Sequence, residues 1–224
     1  MARLVPKTAT KGSQKWLQVL VNTHPEVVDR ALAVALGAKP DAHIQWLSPL
    51  NSDDYAEYQD QAVFERLGMT LPNHPLASFW PARGPVWDGL GITQRGELLL
   101  VEAKSHIPEL LSSAGASSAA SLDRIRASLE ETRTYLGAHS YVEWTTPLYQ
   151  YANRLAHLYL LRILNDLPAF LVMVYFVNDH EQGGPTTQEE WQGAILLQKT
   201  LLGLRRHKLS RYILNIFIDV ETLI

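Results

Sequence analysis

The most informative stretch of the chain is residues 85–104, which have the sequence PVWDGLGITQRGELLLVEAK. Two apolar segments, 86–93 and 97–104, flank the turn-forming residues 94–96, and this pattern predicts a β-hairpin. The run 98–101 is apolar without interruption, which is typical of a strand covered on both faces. The hairpin is therefore expected to lie inside a sheet.

Charged side chains end this apolar run, where a sheet interior is expected. Glu102 and Lys104 are two residues apart, so their side chains project from the same face of the strand. With a turn near residue 95, Asp88 stands about opposite Glu102. Two carboxylates and one ammonium group are therefore expected to share one patch.

This set of side chains has a chemistry of its own. Two carboxylates held close together repel, so one must be protonated or a cation must bridge them. Mg²⁺ (or Mn²⁺) takes oxygen ligands from one or two carboxylates and lowers the pKa of its bound water. A lysine beside that water can orient it and stabilise developing negative charge. Asp88, Glu102 and Lys104 therefore indicate metal-dependent hydrolysis of a phosphodiester.

The rest of the chain alternates predicted helices and strands. Helices are predicted at 25–36, 54–67, 122–136, 149–164 and 187–204, and strands at 76–80, 169–177 and 212–220. This order predicts an α/β protein in which helices cover a mixed sheet. Residues 1–50 are expected to form a helical arm packed on a core domain of residues 51–224.

Asp88, the hairpin and the triplet Glu102-Ala103-Lys104 resemble the catalytic motif of the PD-(D/E)XK nuclease superfamily, which has the restriction-endonuclease-like fold. The core of that family is a helix, three strands, a helix and a strand, and the resemblance covers roughly residues 54–178. The sequence departs from the family pattern twice, because two residues separate Pro85 from Asp88 and a long insert follows Lys104.

The resemblance implies a restriction-endonuclease-like central sheet and a Mg²⁺-dependent nuclease that acts on DNA. It adds the backbone carbonyl of Ala103 to the metal ligands Asp88 and Glu102. The resemblance also implies that a glutamate from the first core helix joins the metal site, and for this role Glu57 is the first candidate and Glu65 the second. Many nucleases of this fold form homodimers, and a homodimer is expected here on that ground alone.

Four further side chains are candidates for contact with a substrate phosphate. Ser105 and His106 directly follow the lysine, and Gln150 and Arg154 are one turn apart on the helix predicted after the hairpin. In the resembling family this helix often lends a polar residue to the site. His157 lies on the same face, but an ordinary role in an amphipathic helix is predicted for it.

Composition narrows the class of protein. The 224 residues include no cysteine, which excludes disulfides and thiolate metal sites and favours a cytoplasmic location. No segment is apolar for long enough to span a membrane. The chain has no His-Glu-x-x-His motif, no phosphate-binding loop and no nucleophile elbow, which disfavours the enzyme classes that use them. A net charge of −3 counts against strong non-specific affinity for DNA, and residues 205–211 form the best basic run.

Two other interpretations stay open. The chain could be a catalytically inactive module of the nuclease fold that binds nucleic acid or assembles with protein. Its net negative charge is consistent with such a module. Alternatively, Glu102 and Lys104 could be a plain ion pair at a strand end. A large distance between Asp88 and Glu102 would favour the second of these.

Overall fold

The computed structural model describes residues 2–5, 9–37, 43–116 and 118–224. Its strands are β1 (Ala2–Leu4), β2 (Ile44–Ser48), β3 (Glu57–Gln59), β4 (Gly89–Thr93), β5 (Leu98–Lys104), β6 (Ala169–Val177) and β7 (Ile213–Asp219). Its α-helices are α1 (Gly12–Thr23), α2 (Pro25–Leu36), α3 (Gln61–Arg66), α4 (Leu76–Phe79), α5 (Ala119–Leu136), α6 (Tyr149–Tyr159) and α7 (Gln188–Leu201). Helix α6 continues through a π-helical turn, Leu160–Leu164.

The centre of the molecule is a mixed five-stranded sheet with the order β2-β4-β5-β6-β7. Strands β2, β4 and β5 pair antiparallel, and β5, β6 and β7 pair parallel. Parallel neighbours need a crossover, which α5 and α6 provide before β6 and α7 provides before β7. Strands β5 and β6 are buried along almost their whole length, as their apolar sequences predict.

The sheet separates two apolar cores. The first lies on the side of α3 to α7 and includes Trp87 and Trp191, and the second lies on the side of α1 and α2 and includes Trp16. Strand β5 serves both, because Leu100 packs into the first core and Leu99 into the second. Its polar residues Glu102 and Lys104 therefore follow Leu100 on the face that α6 covers.

Most of the predicted elements are confirmed. Strand β6 has the predicted bounds, the turn at residues 94–96 joins β4 to β5, and Gly37 ends α2 in the left-handed conformation. The capping box of Thr187 and Glu190 begins α7. The mixed α/β class is therefore as predicted. None of the helices in the described part of the chain has the length and hydropathy that a membrane span requires.

The predicted helix at residues 54–67 is wrong in its first half. Asp54 and Asp60 have positive φ angles, and the residues between them include strand β3, so α3 begins only at Gln61. Strand β3 pairs with β1, which lies near the start of the sequence. A local apolar spacing contains no information on such a partner, which explains the error.

The predicted strand at residues 76–80 is also wrong, since Leu76–Phe79 forms the short helix α4. The third strand of the antiparallel part is β2, which pairs with β4. Helix α1 lies outside the predicted elements. Helix α2 begins at Pro25, as predicted, after the N-cap residue His24, which makes no side-chain hydrogen bond.

A buried carboxylate joins α2 to β2. Asp29 accepts hydrogen bonds from the Trp46 indole nitrogen at 3.2 Å and from the backbone N–H of Ile44 at 3.3 Å. The Nδ1 atom of His43 lies 3.2 Å from the same carboxylate. Because Trp46 and Ile44 belong to the edge strand, Asp29 fixes the position of that strand against the helix.

We expect Asp29→Ala to lower the free energy of unfolding by about 2–3 kcal/mol, because two buried N–H groups lose their acceptor. Urea denaturation measures this change. The exposed Asp123 of α5 provides the control, since Asp123→Ala should change stability by less than about 1 kcal/mol. Equal stability of the two variants would contradict the role given to Asp29.

Candidate active site at the β4–β5 hairpin

The hairpin places Asp88 beside the triplet Glu102-Ala103-Lys104. Strands β4 and β5 pair from Ile92 with Leu98 to Gly89 with Val101, so Asp88 lies one residue beyond the paired region. Its Oδ2 atom accepts a hydrogen bond of 2.8 Å from the backbone N–H of Ala103. The structure thus brings together the three side chains that the sequence singles out.

Two glycines of β4 allow this strand to lie close beside β2 in the sheet. A Cβ atom on Gly89 would lie 3.2 Å from the Ser48 carbonyl oxygen, and one on Gly91 would lie 2.9 Å from Cγ2 of Ile44. A larger residue at either position would push β2 away from β4. The register of this pair also shifts between Trp46 and Ser48, opposite Gly91 and Leu90.

Glu102 is a carboxylate buried within the sheet, with 1% of its surface exposed. The Lys104 ammonium donates a hydrogen bond to its Oε1 atom, and Nε of Arg154 donates one of 2.7 Å to its Oε2 atom. Burial alone would raise the pKa of Glu102, but the charges of Arg154 and Lys104 outweigh burial and lower the pKa below its ordinary value. Glu102 is therefore ionised at neutral pH.

Arg154 connects α6 to the hairpin at several points. Besides Glu102, it donates hydrogen bonds to the Val86 carbonyl at 2.7 Å and to Oδ1 of Asn153 at 3.1 Å. Its guanidinium carbon lies 4.5 Å from the centre of the Trp87 ring, and the side chain is buried. Its main partner in this state is Glu102, whereas the sequence predicts a contact with substrate.

The charges of the cluster act on Lys104 and Asp88 in different ways. Burial alone would lower the pKa of Lys104, but Glu102 and Asp88 raise it, so the amine is charged. Removal from water and the negative charge of Glu102 raise the pKa of Asp88 to about 8, although part of its surface stays accessible. Without a bound cation, Asp88 is therefore mostly protonated at neutral pH.

Glu57 reaches the same region from a different element than predicted. It lies on strand β3 and not on a helix, and its Oε1 atom accepts a hydrogen bond of 2.7 Å from the side chain of Gln14 in α1. Burial, followed by the charge of Glu102, raises its pKa, while Gln14 and Arg154 act in the opposite direction. The alternative candidate, Glu65, is an exposed residue of α3.

A short segment after the lysine completes the surroundings of the site. Ser105 is buried, its backbone N–H donates to Glu109 at 2.7 Å, and its hydroxyl has no hydrogen-bond partner among the described residues. The other oxygen of Glu109 accepts from Ser13 of α1 at 3.2 Å and lies 3.3 Å from Nδ1 of His106. Glu109 was not among the predicted site residues, because its link to α1 spans 96 positions of the sequence.

Two further polar residues of α6, Gln150 and His157, lie in different environments. Gln150 is half-buried at the start of α6, and its backbone N–H donates to the Ser112 hydroxyl at 2.7 Å. His157 is buried 4.8 Å from the ring of Trp80, and burial lowers its pKa to about 4. His157 is therefore a neutral core residue, in agreement with the ordinary role predicted for it.

The site offers a divalent cation hard oxygen ligands, from the Asp88 and Glu102 carboxylates and the Ala103 carbonyl. Such donors suit Mg²⁺, which keeps several of its waters. The described residues contain no group of three or more His, Asp and Glu side chains placed to hold an ion. A cation would therefore depend on two carboxylates and would compete with Lys104 and Arg154 for Glu102.

Comparison of the chain with models of protein families, with curated proteins and with solved structures finds no match in any of the three. The functional argument therefore depends on the chemistry and geometry of the site itself.

We expect Arg154→Met to lower the free energy of unfolding by about 3–5 kcal/mol, because it leaves the charge of Glu102 buried with one partner fewer. Chemical denaturation measures the loss. The control is Arg126→Met, which removes an exposed arginine paired with Asp123 and should change stability by less than about 1 kcal/mol. A loss no larger than that of the control would show that Arg154 does not compensate Glu102.

Asp88→Asn should stabilise the protein in EDTA, since an amide can still accept from Ala103 and carries no charge to bury. In the unfolded chain Asp88 titrates near its ordinary pKa, and in the folded protein near 8. Wild-type stability should therefore fall, relative to the variant, as pH rises from 4 to 8. At pH 8 we expect a gain of at least about 1 kcal/mol, which corresponds to roughly 3 °C in Tm. A difference in Tm that does not change across this range would contradict the raised pKa.

Proposed function

We propose that the protein is a metal-dependent nuclease that hydrolyses phosphodiester bonds of nucleic acid, with DNA as its substrate. The observation that carries this proposal is the hydrogen bond from Ala103 to Asp88, which holds a second carboxylate beside Glu102 and Lys104. A plain ion pair at a strand end requires only Glu102 and Lys104. It does not account for a second carboxylate whose burial beside a like charge is unfavourable.

Each residue has a distinct role in the proposed reaction. Asp88, Glu102 and the carbonyl oxygen of Ala103 would hold Mg²⁺ or Mn²⁺. The bound ion would supply Lewis acidity towards the phosphate and its attacking water. Lys104, which is charged in the structure, would orient the water and stabilise negative charge that develops on the phosphate. Glu57 would accept hydrogen bonds from water at the edge of the site, with Gln14 keeping its side chain in place.

The order of the secondary-structure elements also supports the proposal. With α2, β3, α3, α4 and α5 set aside as insertions, the remaining series is α1, β2, β4, β5, α6 and β6. It consists of a helix, three antiparallel strands, a helix and a parallel strand. This is the core order of the PD-(D/E)XK superfamily, whose motif the hairpin resembles. The series begins earlier in the chain than the sequence predicts, with α1 and β2 in place of residues 54–67 and 76–80.

An inactive module of the same fold is the second candidate function. The observation that favours it is that Lys104 and Arg154 occupy both oxygens of Glu102. If Arg154 does not release its oxygen, Asp88 and the Ala103 carbonyl are too few ligands to hold an ion. Homodimer formation and a cytoplasmic location stay predictions under either function.

We expect cleavage of DNA in the presence of Mg²⁺ or Mn²⁺ to fall at least about 100-fold in Lys104→Ala and in Asp88→Ala. Supercoiled plasmid, linear duplex, single-stranded DNA and RNA should be assayed in parallel, because the residues do not specify the form of the strand. Arg126→Ala removes an exposed arginine of α5 and should cleave like wild type. Circular dichroism checks that each variant is folded.

Calorimetric titration with Mn²⁺ provides a readout that does not depend on the choice of substrate. Wild type should bind the ion, and Asp88→Ala should bind it more weakly. Absence of both cleavage and Mn²⁺ binding in wild type would exclude the nuclease and favour the inactive module.

A further inference from the structure

A second charged surface lies away from the hairpin. We infer that this surface binds the phosphate backbone of nucleic acid and thereby positions a strand that extends beyond the candidate active site. We call it the basic surface, and it consists of Arg162, Arg205, Arg206, Lys208 and Arg211. The inference rests on the proposed function for the identity of the polyanion, but not for the existence of the surface.

The cations of the basic surface are not neutralised by the protein. In the part of the chain that the structure describes, none of the five forms an ion pair with an Asp or Glu side chain. The chain as a whole has 20 basic and 23 acidic residues. Five unpaired cations in one place are therefore an asymmetry that overall composition does not explain.

Aromatic rings hold several of these cations in place. The guanidinium carbon of Arg162 lies 3.4 Å from the centre of the Tyr212 ring, and that of Arg211 lies 4.6 Å from the same centre. The ammonium of Lys208 lies 4.5 Å from the centre of the Tyr135 ring. Such contacts orient a cation without cancelling its charge, so less side-chain entropy is lost when a phosphate binds.

Two further basic side chains, Lys199 and His207, are partly buried beside the basic surface. Lys199, at the end of α7, has a pKa lowered by burial. The pKa of His207 is lowered to about 4 by burial and by the charge of Lys199, so its ring is neutral. No carboxylate counteracts either shift.

The distance between the basic surface and the candidate site follows from the elements that connect them. Arg162 lies eight residues after Arg154 on the continuation of α6, which corresponds to about 12 Å along a helix. Lys104 pairs with Tyr175 near the end of β6, whereas Tyr212 precedes β7 at the end where β6 begins. Six residues of strand span about 20 Å. The two places are therefore separated by roughly the length of six base pairs, at 3.4 Å per pair.

The plain alternative is that these cations only complement the carboxyl ends of α5, α6 and α7, where positive charge is favourable. That role requires no ligand and predicts no affinity for DNA. The experiment must therefore measure binding directly, in a variant that leaves the hairpin intact.

The test is fluorescence anisotropy of a labelled 20-base-pair duplex in EDTA, so that no cleavage occurs. The variant Arg205→Gln/Arg206→Gln is compared with Arg30→Gln/Arg126→Gln, which removes the same charge from two exposed positions, one on α2 and one on α5. The first should bind on the order of 10-fold or more weakly than wild type at 0.1 M salt, and its salt dependence should lose about two released counterions. The control should bind within about 2-fold of wild type.

Three outcomes would overturn the inference: no binding by wild type, equal weakening in both double variants, or stronger binding to phosphatidylserine vesicles than to DNA. Cleavage of the same duplex by wild type and by Arg205→Gln/Arg206→Gln is measured in parallel with Mg²⁺ in place of EDTA. Cleavage by wild type decides the proposed function separately. A protein that binds through the basic surface but never cleaves would thus disprove the nuclease while leaving this inference intact.

Discussion

Glu102 places a negative charge inside the sheet, and the neighbouring structure is arranged around that charge. An isolated carboxylate in such a position would cost several kcal/mol, so it requires cations and hydrogen-bond donors that can be buried with it. Lys104 comes from the same strand, but Arg154 must arrive from α6. This requirement fixes how α6 lies on the hairpin, and it explains why Arg154 also binds the Val86 carbonyl and lies against Trp87.

The negative charge of Glu102 also makes it unfavourable to bury a second ionised carboxylate, that of Asp88, beside it. The Asp88 carboxylate accepts one backbone hydrogen bond, yet burial and Glu102 keep its pKa near 8. A buried ion cluster is weak evidence for stability, because well-packed apolar residues would usually serve as well or better. The arrangement is easier to understand as one that a bound cation completes. Stability given up at a site of this kind is common where function needs groups that repel one another.

The sequence predicts those features of the site that depend on local spacing. Alternation along β5 places Glu102 and Lys104 on one face, and the short turn brings Asp88 back beside them. Contacts between distant segments cannot be obtained in this way. Arg154 and Glu102 are 52 positions apart, and nothing near either residue indicates that they pair.

The strands that were missed have the same physical explanation. Strand β3 is only three residues long, between residues with positive φ, and it exists because β1 supplies hydrogen bonds from some 55 positions away. Strand β2 likewise depends on β4 and on Asp29 of α2. For Glu57, the sequence predicts the position near the site but not the element that carries the residue. Its position near the site was predicted from a helix whose first half does not form, and Glu57 reaches the site on β3.

Net charge is a poor guide to partners when charges are segregated. The overall value of −3 suits a protein that avoids nucleic acid, but it averages two distinct ends of the molecule. Salt screens exposed charges beyond about 8–10 Å, whereas the candidate site and the basic surface are roughly 12–20 Å apart. The carboxylates around the hairpin therefore cancel little of the potential at Arg205, Arg206 and Arg211. Under the two proposals, a phosphate chain would meet the candidate metal site at one end and fixed positive charge at the other.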